Sequence, residues 1–284
     1  SKKLKTNSKI FITDLNLIRS PASYFADNSF KTGFFNDPNY INDLLKICLK
    51  NRISFIVPTL DSELILLTNS KSLFSDNGIN IIISDLRLIK ILNDKITTNT
   101  FFNSFNIKTP IVFNKDNMKF PVFLKPLNGS NSKGIYKAGN IKEIKPSDIE
   151  SNNMMILENI DNNIYDEYTI DLYYDKKSSL KCVVPRIRLK VVGGESNQGI
   201  TKKNEVLDFV KDKFSFIDGA IGCLTLQVFS NKLNPLDIIG IEINPRFGGG
   251  YPFSLNAGAN FPEFIIREYI LNEQIEYFDK WKNN

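Results

Sequence analysis

Short apolar runs alternate with segments of helical periodicity over the first third of the chain. Lys9–Asp14, Ser54–Pro58 and Ile79–Ile83 are short and largely apolar, which predicts buried strands. Helical patterns separate these runs. Alternating strands and helices are typical of a parallel sheet with helices on its faces, so the sequence predicts an α/β fold for this region.

Capping residues mark the beginnings of the predicted helices. Asp37 as N-cap and Pro38 in the first turn predict a helix whose apolar face is formed by Ile41, Leu44, Leu45, Cys48 and Leu49. Ser84 is the predicted cap of a later helix. The other helices predicted in this part of the chain are Asp61–Asn69, Ser70–Asn77 and Asn93–Phe105.

The pattern changes to β beyond Ile111, and the best internal boundary lies near residue 93. Glu167–Asp175 alternates with a period of two, which predicts a strand with Glu167 and Asp171 on the same face. The other strands predicted in this region are Pro121–Pro126, Met154–Ile160, Arg186–Lys190 and Thr225–Ser230. A last helix is predicted at Pro262–Leu271.

The stretch Asp237–Tyr251 (DIIGIEINPRFGGGY) has the most informative polar pattern. A period of two predicts a strand with its isoleucines, Ile239, Ile241 and Ile243, on one face and with Glu242 and Asn244 on the other. Pro245 ends the strand, and Arg246 and three glycines follow. Carboxylate and amide oxygens suit Mg²⁺, and arginine binds phosphate, so this strand end predicts a cation and phosphate site. A solvated edge strand that ends in a polar turn would show the same pattern.

Two further segments allow both a functional and a structural interpretation. In Arg186–Lys190, the three cations Arg186, Arg188 and Lys190 share a predicted face, which must meet either solvent or an anion. The small-residue loop Asn128–Gly134 could bind an anion through its backbone N–H groups, or could be a hairpin turn. It does not match the P-loop pattern.

Composition excludes several classes of protein. The 284 residues are 42% hydrophobic and 24% charged, as in a globular protein, and the net charge of +5 is too diffuse to indicate a nucleic-acid partner. The chain has no histidine, which excludes Ser-His-Asp and Cys-His nucleophiles and histidine metal ligands. The three cysteines are far apart and lie in apolar sequence, which predicts reduced core residues and a cytoplasmic protein. No apolar run is long enough to predict a membrane span.

Taken in order, these segments resemble the ATP-grasp superfamily, and most closely its carbamoyl phosphate synthase-like branch. The resemblance covers nearly the whole chain, and the order and spacing of the segments make it specific. It is carried by PTLDSEL at Pro58–Leu64, NDK at Asn93–Lys95, PVFLKP and the glycine loop after it, LENI, EYTIDLYY, PRIRL and IEINPRFGGGYP.

The resemblance implies an ATP-grasp fold of the α/β class, with α+β lobes. It implies a Rossmann-like pre-ATP-grasp domain at 1–93, a small lid subdomain at 94–158 and a large subdomain with the metal site at 159–284. Proteins of this type usually begin with a strand and a Gly-rich turn ahead of the segment that corresponds to KIFITD. We therefore expect the first strand of the N-terminal domain to be missing from this sequence.

The resemblance assigns nucleotide contacts to several groups of residues. Lys95 and Lys125 correspond to the two cations that hold the ATP phosphates. The mobile cover over the β- and γ-phosphates corresponds to Gly129, Ser130, Ser132 and Gly134. The hinge strand that hydrogen-bonds adenine corresponds to Glu158, Asn159 and Ile160. Glu167 corresponds to the carboxylate that binds the ribose hydroxyls.

The resemblance also implies a metal site and a substrate side. Gln227, Glu242 and Asn244 correspond to the ligands of one or two Mg²⁺ ions, which Mn²⁺ could replace. Gln227 stands where most of the superfamily has an acidic residue, which lowers the ligand charge. Three residues are implied in catalysis: Arg246 steadies the transferred phosphoryl group, Lys125 binds it, and Arg188, together with Arg186, is predicted to bind the acceptor carboxylate.

The leading hypothesis is an ATP-dependent ligase that forms an acyl phosphate from a carboxylate or bicarbonate and transfers the acyl group to an amine. The alternative is a nucleotide-binding module or subunit without ligase activity, which the missing first strand and Gln227 favour. A bare doubly wound metabolite-binding protein would leave the two lysines unexplained. The expected partners are small carboxylates and amines, with no nucleic acid or membrane, and a homodimer or partner subunit is compatible with the sequence.

Overall fold

The computed structural model describes residues 8–127, 134–151 and 153–284. The chain divides into two compact units, residues 1–82 and 83–284. Gly129, Ser130 and Ser132 of the predicted phosphate loop lie outside the described residues, whereas Gly134 is described. Gly134 has a positive φ of +75°, a conformation that favours glycine.

The strands and helices have the following bounds. The strands are β1 (Phe11–Asp14), β2 (Asn28–Lys31), β3 (Phe55–Ile56), β4 (Asn80–Ile81), β5 (Val112–Phe113), β6 (Val122–Pro126), β7 (Tyr136–Ala138), β8 (Met154–Glu158), β9 (Tyr165–Tyr174), β10 (Leu180–Val192), β11 (Glu195–Thr201), β12 (Gly222–Asn231) and β13 (Ile238–Asn244). The α-helices are α1 (Tyr40–Lys50), α2 (Asp61–Asn69), α3 (Lys71–Ser75), α4 (Leu86–Asn93), α5 (Lys95–Ser104), α6 (Pro146–Ile149), α7 (Glu205–Lys213), α8 (Tyr251–Asn256) and α9 (Phe261–Tyr269).

The first unit contains two parallel strand pairs, β1 with β2 and β3 with β4, in agreement with the α/β prediction. Helix α1 buries Tyr40, Leu44 and Cys48. It begins two residues later than expected, because Asp37 does not cap it. The Asp37 carboxylate instead accepts the N–H of Asn39 at 2.8 Å, and Asn39 is the N-cap.

The second unit contains two antiparallel sheets. The smaller has the order β5-β8-β6-β7. Alternation along β6 places Leu124 in an apolar cluster with Phe113, Val122 and Ile156, and leaves Lys125 on the opposite face. This sheet therefore presents Lys125 away from its own core.

The larger sheet has the order β11-β10-β9-β12-β13. Strand β9 is central, and its register places Glu167, Thr169 and Asp171 on one face, as the alternation predicted. Helix α5 contacts β13, where a Cβ at Gly240 would lie 2.5 Å from the ring of Phe102. Gly240 thus allows α5 to pack closely on one face of the sheet, opposite the face that carries Glu167.

A β-bulge in β13 contradicts the prediction that its three isoleucines share a face. Gln227 pairs with Glu242, but the next residue of β12 pairs with Gly240, so Ile241 is the extra residue. Ile239 and Ile243 are buried and lie on opposite faces, and Ile241 is only half-buried. Glu242 and Asn244 lie on the same side of the bulge, so they share a face as predicted.

Two local expectations were wrong or incomplete. Asp85 caps α4 by accepting the N–H of Leu88 at 2.7 Å, whereas the predicted cap, Ser84, accepts the N–H of Ile221 at 3.1 Å. The sequence patterns also missed several short elements, which are β2, β7, β11, α6, α7 and α8.

All three cysteines are free and buried, as their apolar surroundings predicted. Burial raises the pKa of the Cys48 thiol to about 11, which keeps it protonated at neutral pH. Within the part of the chain that the structure describes, every helix is too short or too polar to cross a membrane.

Candidate functional site

Lys95 is positioned by the cap of helix α5. The Asp94 carboxylate accepts the N–H groups of Ile96 and Thr97 at 2.9 and 2.8 Å, and these backbone hydrogen bonds, that of Thr97 first, lower the pKa of Asp94. Lys95 is the first helical residue. Its ammonium group donates hydrogen bonds to the carbonyl oxygens of Pro126 and Leu127, each at 2.6 Å. The lysine thus lies at the end of β6, beside the residues that precede the predicted phosphate loop.

Lys125 and Glu242 join the two sheets of the second unit. The Lys125 Nζ lies 2.8 Å from Oε2 of Glu242, and the two side chains are 15% and 30% exposed. Asn244 donates to the other oxygen of Glu242, Oε1, at 3.2 Å. Burial raises the pKa of Glu242, but the charge and hydrogen bond of Lys125 outweigh it, so the net shift is downward. Glu242 is therefore ionised at neutral pH.

Two ammonium groups lie close together in this site. Burial and the positive charge of Lys125 lower the pKa of Lys95, while Glu242 and Asp94 oppose that shift. Like charges in a partly buried position favour a bound anion, because the anion removes their mutual repulsion. The geometry is suited to a polyphosphate, whose oxygens can accept hydrogen bonds from both ammonium groups.

The predicted metal ligands share one face of neighbouring strands. Gln227 of β12 pairs directly with Glu242 of β13, and Thr225 pairs with Asn244. Gln227, Glu242 and Asn244 together supply one carboxylate and two amide groups. Within the described ranges, no group of three or more acidic residues, histidines or cysteines could hold a metal ion by itself. The donor set therefore fits a hard cation that receives further oxygens from a phosphate.

Arg188 and Glu167 form an ion pair on the same face of the sheet. Arg188 is only 5% exposed, and it also donates to the carbonyl of Gly194 at 2.5 Å and to Oε1 of Gln227 at 3.4 Å. Burial raises the pKa of Glu167, with Arg188 opposing this effect. The pair connects two residues that the sequence assigned to different substrates, the nucleotide and the acceptor.

The three cations of Arg186–Lys190 do not share a solvent-exposed face. Arg186 is fully buried against Asp171, and Arg188 is paired with Glu167, so acidic partners on β9 neutralise both. The register shifts after Arg188, and Lys190 is exposed beyond it. The sequence left open whether these cations meet solvent or an anion. Arg186 and Arg188 meet anions, which are carboxylates of this chain.

Replacement of Arg188 by glutamine should raise the pKa of Glu167 further above its ordinary value. The reason is that Arg188 is the main group that lowers this pKa against the effect of burial. The pKa can be measured by following carboxyl carbons in a ¹³C-glutamate-labelled sample by NMR. Lys190→Gln is the matched control, since it removes an exposed cation from the same strand. An unchanged Glu167 pKa in Arg188→Gln would contradict the pairing.

The same titration predicts how stability depends on pH. A carboxyl whose pKa is raised on folding binds its proton more tightly in the folded state. Its ionisation therefore costs stability as pH rises from the ordinary glutamate pKa to the folded value. In Arg188→Gln the folded-state pKa of Glu167 is higher still, so this loss of stability continues to higher pH. The free energy of unfolding of the variant should therefore fall further below that of the wild type as pH rises through that range.

The remaining predicted residues lie at or just beyond the ends of strands. Glu158 ends β8, and its carboxylate accepts the N–H of Ile111 at 3.2 Å, while Asn159 and Ile160 follow the strand. Arg246 lies two residues beyond the end of β13, and its N–H donates to the carbonyl of Asn244 at 2.8 Å. The structure thus brings Lys95, Lys125, Gln227, Glu242 and Asn244 into one network of contacts and strand pairs.

The sequence patterns missed three buried polar residues beside this site. Asp171, Thr225 and Ser254 are each 3% exposed or less. Asp171 carried a weak signal, since it is an acidic residue on the same face of β9 as Glu167. Thr225 and Ser254 carried none, because hydroxyl residues are common in strands and helices of every function.

Family models match the two ends of the chain. Residues 1–82 match a model described as a PylC-like N-terminal domain, and residues 150–283 match one described as "ATP-grasp in the biosynthetic pathway with Ter operon". A curated relative, a carbamoyl-phosphate synthase of Methanobrevibacter smithii, is 28% identical over 119 residues, which cover 38% of this chain and 32% of the relative. The match thus spans about a third of the length of that relative.

Solved structures share the fold at low sequence identity. A biotin carboxylase of Campylobacter jejuni in complex with β,γ-ATP has a TM-score of 0.71 at 13% identity, over 94% of this chain and 66% of that one. An N5-carboxyaminoimidazole synthetase of Staphylococcus aureus in complex with ADP has a TM-score of 0.71 at 16% identity, over 99% of this chain and 74% of that one. The chain therefore has the fold of these two proteins, which combines helices and sheets.

Proposed function

We propose that this chain is an ATP-grasp enzyme, an ATP-dependent ligase that activates a small carboxylate as an acyl phosphate and transfers the acyl group to an amine. The observation that supports this proposal most is the contact between Lys125 and Glu242, 117 residues apart in sequence, beside Lys95. Two cations and an ionised carboxylate from three different elements are thereby held close together.

The proposed reaction has two steps. An oxygen of the acceptor carboxylate attacks the γ-phosphorus of ATP, and the bond from that phosphorus to the β–γ bridging oxygen breaks, which releases ADP. The amine then attacks the carbonyl carbon of the acyl phosphate, the carbon–oxygen bond to phosphate breaks, and the amine loses a proton. Phosphoryl transfer of this kind depends on positioning and charge neutralisation more than on a covalent protein group.

Each group of side chains has a part in the first step. Lys95 and Lys125 would bind phosphate oxygens as compact point charges. Glu242, Asn244 and Gln227 would hold Mg²⁺, which withdraws charge from the phosphates when bound. Arg246, at the end of β13, would bind the transferred phosphoryl group in a bidentate manner. These assignments require no histidine, and the chain contains none.

Release of ADP tests the proposal. Purified protein is incubated with ATP and Mg²⁺, with and without pools of amino acids and small carboxylates, and ADP is measured by a coupled assay. We expect ADP to form only when a pool contains the acceptor, because the γ-phosphate must have a carboxylate to attack. Binding of ADP measured by calorimetry, together with no turnover in any pool, would overturn the ligase assignment.

Replacement of Arg188 by glutamine should raise the KM for the acceptor carboxylate by about 10- to 100-fold, because the variant loses the guanidinium proposed to bind that carboxylate. The KM for ATP should change less. Steady-state kinetics measure both values, with the acceptor that the pool assay identifies as the substrate. Lys190→Gln should leave both unchanged, since that lysine is exposed. An unchanged KM for the carboxylate would remove Arg188 from the acceptor site.

A nucleotide-binding module without ligase activity is the second candidate. It is favoured by the amide at Gln227, because the described metal site then has one carboxylate, Glu242, and a low ligand charge. Turnover of the wild type distinguishes the two candidates, and Gln227→Glu tests the metal site of a module. For a module, added ligand charge should strengthen Mn²⁺-ADP binding without producing turnover. For an enzyme, turnover should already be present in the wild type.

A further inference from the structure

A fully buried ion pair lies beneath the turn that carries Arg246. Arg186 and Asp171 are both 0% exposed, and Arg186 Nη1 lies 3.0 Å from Asp171 Oδ2. Ser254 donates to the same oxygen at 2.5 Å, and Thr225 Oγ1 lies 3.4 Å from Oδ1. We call these four residues the buried platform. Burying two charges is costly even when they are paired, so a pair of this kind often has a role other than stability.

The glycines after Arg246 lie directly on the buried platform. A Cβ at Gly250 would lie 2.6 Å from Arg186 Nη2, which is closer than real Cβ contacts come. A Cβ at Gly248 would lie 3.0 Å from the Thr225 methyl group. The turn therefore lies so close to the platform that a side chain at residue 250 would displace Arg186, and one at residue 248 would crowd Thr225.

Thr225 also holds the backbone of Arg246. Its hydroxyl donates to the Arg246 carbonyl at 3.0 Å, and Thr225 pairs across the sheet with Asn244. One side chain thus contacts the proposed phosphoryl-binding arginine at its backbone and stands opposite a proposed metal ligand. The position of Arg246 relative to Asn244 depends on that hydroxyl and on the strand pair.

The Arg186 side chain is fully enclosed and does not reach the surface. The ring of Phe253 lies 5.4 Å from its guanidinium carbon, and its Nε and Nη2 have no hydrogen-bond partner among the described residues. A guanidinium selected for binding would expose its donors to the ligand. Here the group is enclosed, and Nη2 meets the backbone of the glycine turn.

We propose that Asp171, Arg186 and Thr225 are positioning residues, which set the place of Arg246 by supporting the glycine turn from beneath. This replaces the expectation that Arg186 binds the acceptor carboxylate. The inference deepens the proposed function, since it assumes that Arg246 acts on the phosphoryl group. The support of the turn itself is independent of that assumption and can be measured without turnover.

Thr225→Val tests the proposal, because valine keeps the shape of threonine and removes the hydroxyl. Hydrogen–deuterium exchange, read by mass spectrometry on peptides that cover residues 245–254, should become faster by about 10-fold or more. In the ATP assay, kcat should fall by about 10-fold or more while the KM for ATP changes less than about twofold, since misplacement of a catalytic group affects the transition state most. Thr225→Ser, which restores the hydroxyl, should recover both values.

Two further variants complete the test. Ser230→Ala removes a buried hydroxyl at the far end of the same strand β12, where it donates to the carbonyl of Pro235 at 2.9 Å, and should leave exchange at 245–254 unchanged. Gly250→Ala should accelerate exchange there, because its Cβ collides with Arg186. Unchanged exchange in both Thr225→Val and Gly250→Ala would overturn the proposal. Altered exchange in a protein without turnover would instead leave the platform standing and refute the ligase assignment.

Discussion

Replacement of Glu242 by glutamine should lower ATP turnover by about 1,000-fold, because preorganised electrostatic groups contribute most to a phosphoryl transfer. Glu242 is the carboxylate of the predicted ligand set, and Gln227 and Asn244 supply only amides. Glutamine keeps the size and one acceptor oxygen but removes the charge. The same change also removes the partner of Lys125, whose ammonium group would remain beside Lys95.

Turnover and metal binding should be measured separately in this variant. Steady-state ADP release gives kcat, calorimetry gives the affinity for ADP alone, and electron paramagnetic resonance gives the affinity for Mn²⁺ in the presence of ADP. We expect loss of turnover and of Mn²⁺ binding, with a smaller change in the affinity for metal-free ADP. Glu205→Gln, at an exposed position at the start of α7, is the control. Turnover within about threefold of the wild type at saturating Mg²⁺ would show that Glu242 is not a metal ligand.

Replacement of Lys125 by methionine should lower kcat/KM for ATP by about 100-fold, since one cation that neutralises the phosphates is lost. It should also raise the affinity of the protein for Mn²⁺ alone. In the present structure the Lys125 ammonium lies 2.8 Å from Glu242 and occupies the carboxylate that a metal would use. Without that ammonium, the carboxylate is available to a metal ion even when no nucleotide is present.

Lys95→Met separates these two effects. Lys95 donates to the carbonyls of Pro126 and Leu127, and its charge is the smallest influence on the pKa of Glu242. Its loss should weaken ATP binding while the affinity for Mn²⁺ alone stays near that of the wild type. Equal Mn²⁺ affinities in Lys125→Met and the wild type would contradict the idea that Lys125 competes with the metal.

Stability gives a third measurement on the same pair. Loss of Lys125 leaves Glu242 partly buried without its cation, which should lower the melting temperature. The double variant Lys125→Met/Glu242→Gln removes both charges and should recover part of that loss. A double variant less stable than Lys125→Met would indicate that the salt bridge does not govern the stability of this site.

Local pattern predicted most of the framework around the site. The alternation of Glu167–Asp175 gave both the strand and the face that carries Glu167 and Asp171, because a period of two is a property of the backbone alone. The positions of Pro245 and of the glycines after Arg246 also follow from local chemistry. The roles of the site residues rest on the family resemblance and stay predictions until the variants above are measured.

Two of the errors share one physical origin. The bulge at Ile241 separates Ile239 from Ile243, although the three isoleucines alternate perfectly in sequence. A bulge depends on how the neighbouring strand β12 pairs, which the residues of β13 do not report. The burial of Arg186 likewise depends on Asp171 of another strand, so a cation expected to bind the acceptor carboxylate is paired with a carboxylate of this chain.

By itself, the sequence determined the fold class, the strands that carry the polar residues, and the absence of histidine chemistry, since periodicity and composition act over short distances. Only the tertiary structure decided that Lys125 contacts Glu242, that Arg188 pairs with Glu167, and that Arg186 lies beneath the glycine turn. These contacts join residues from different strands. Their geometry follows from register, bulges and the packing of separate elements, which no single segment encodes.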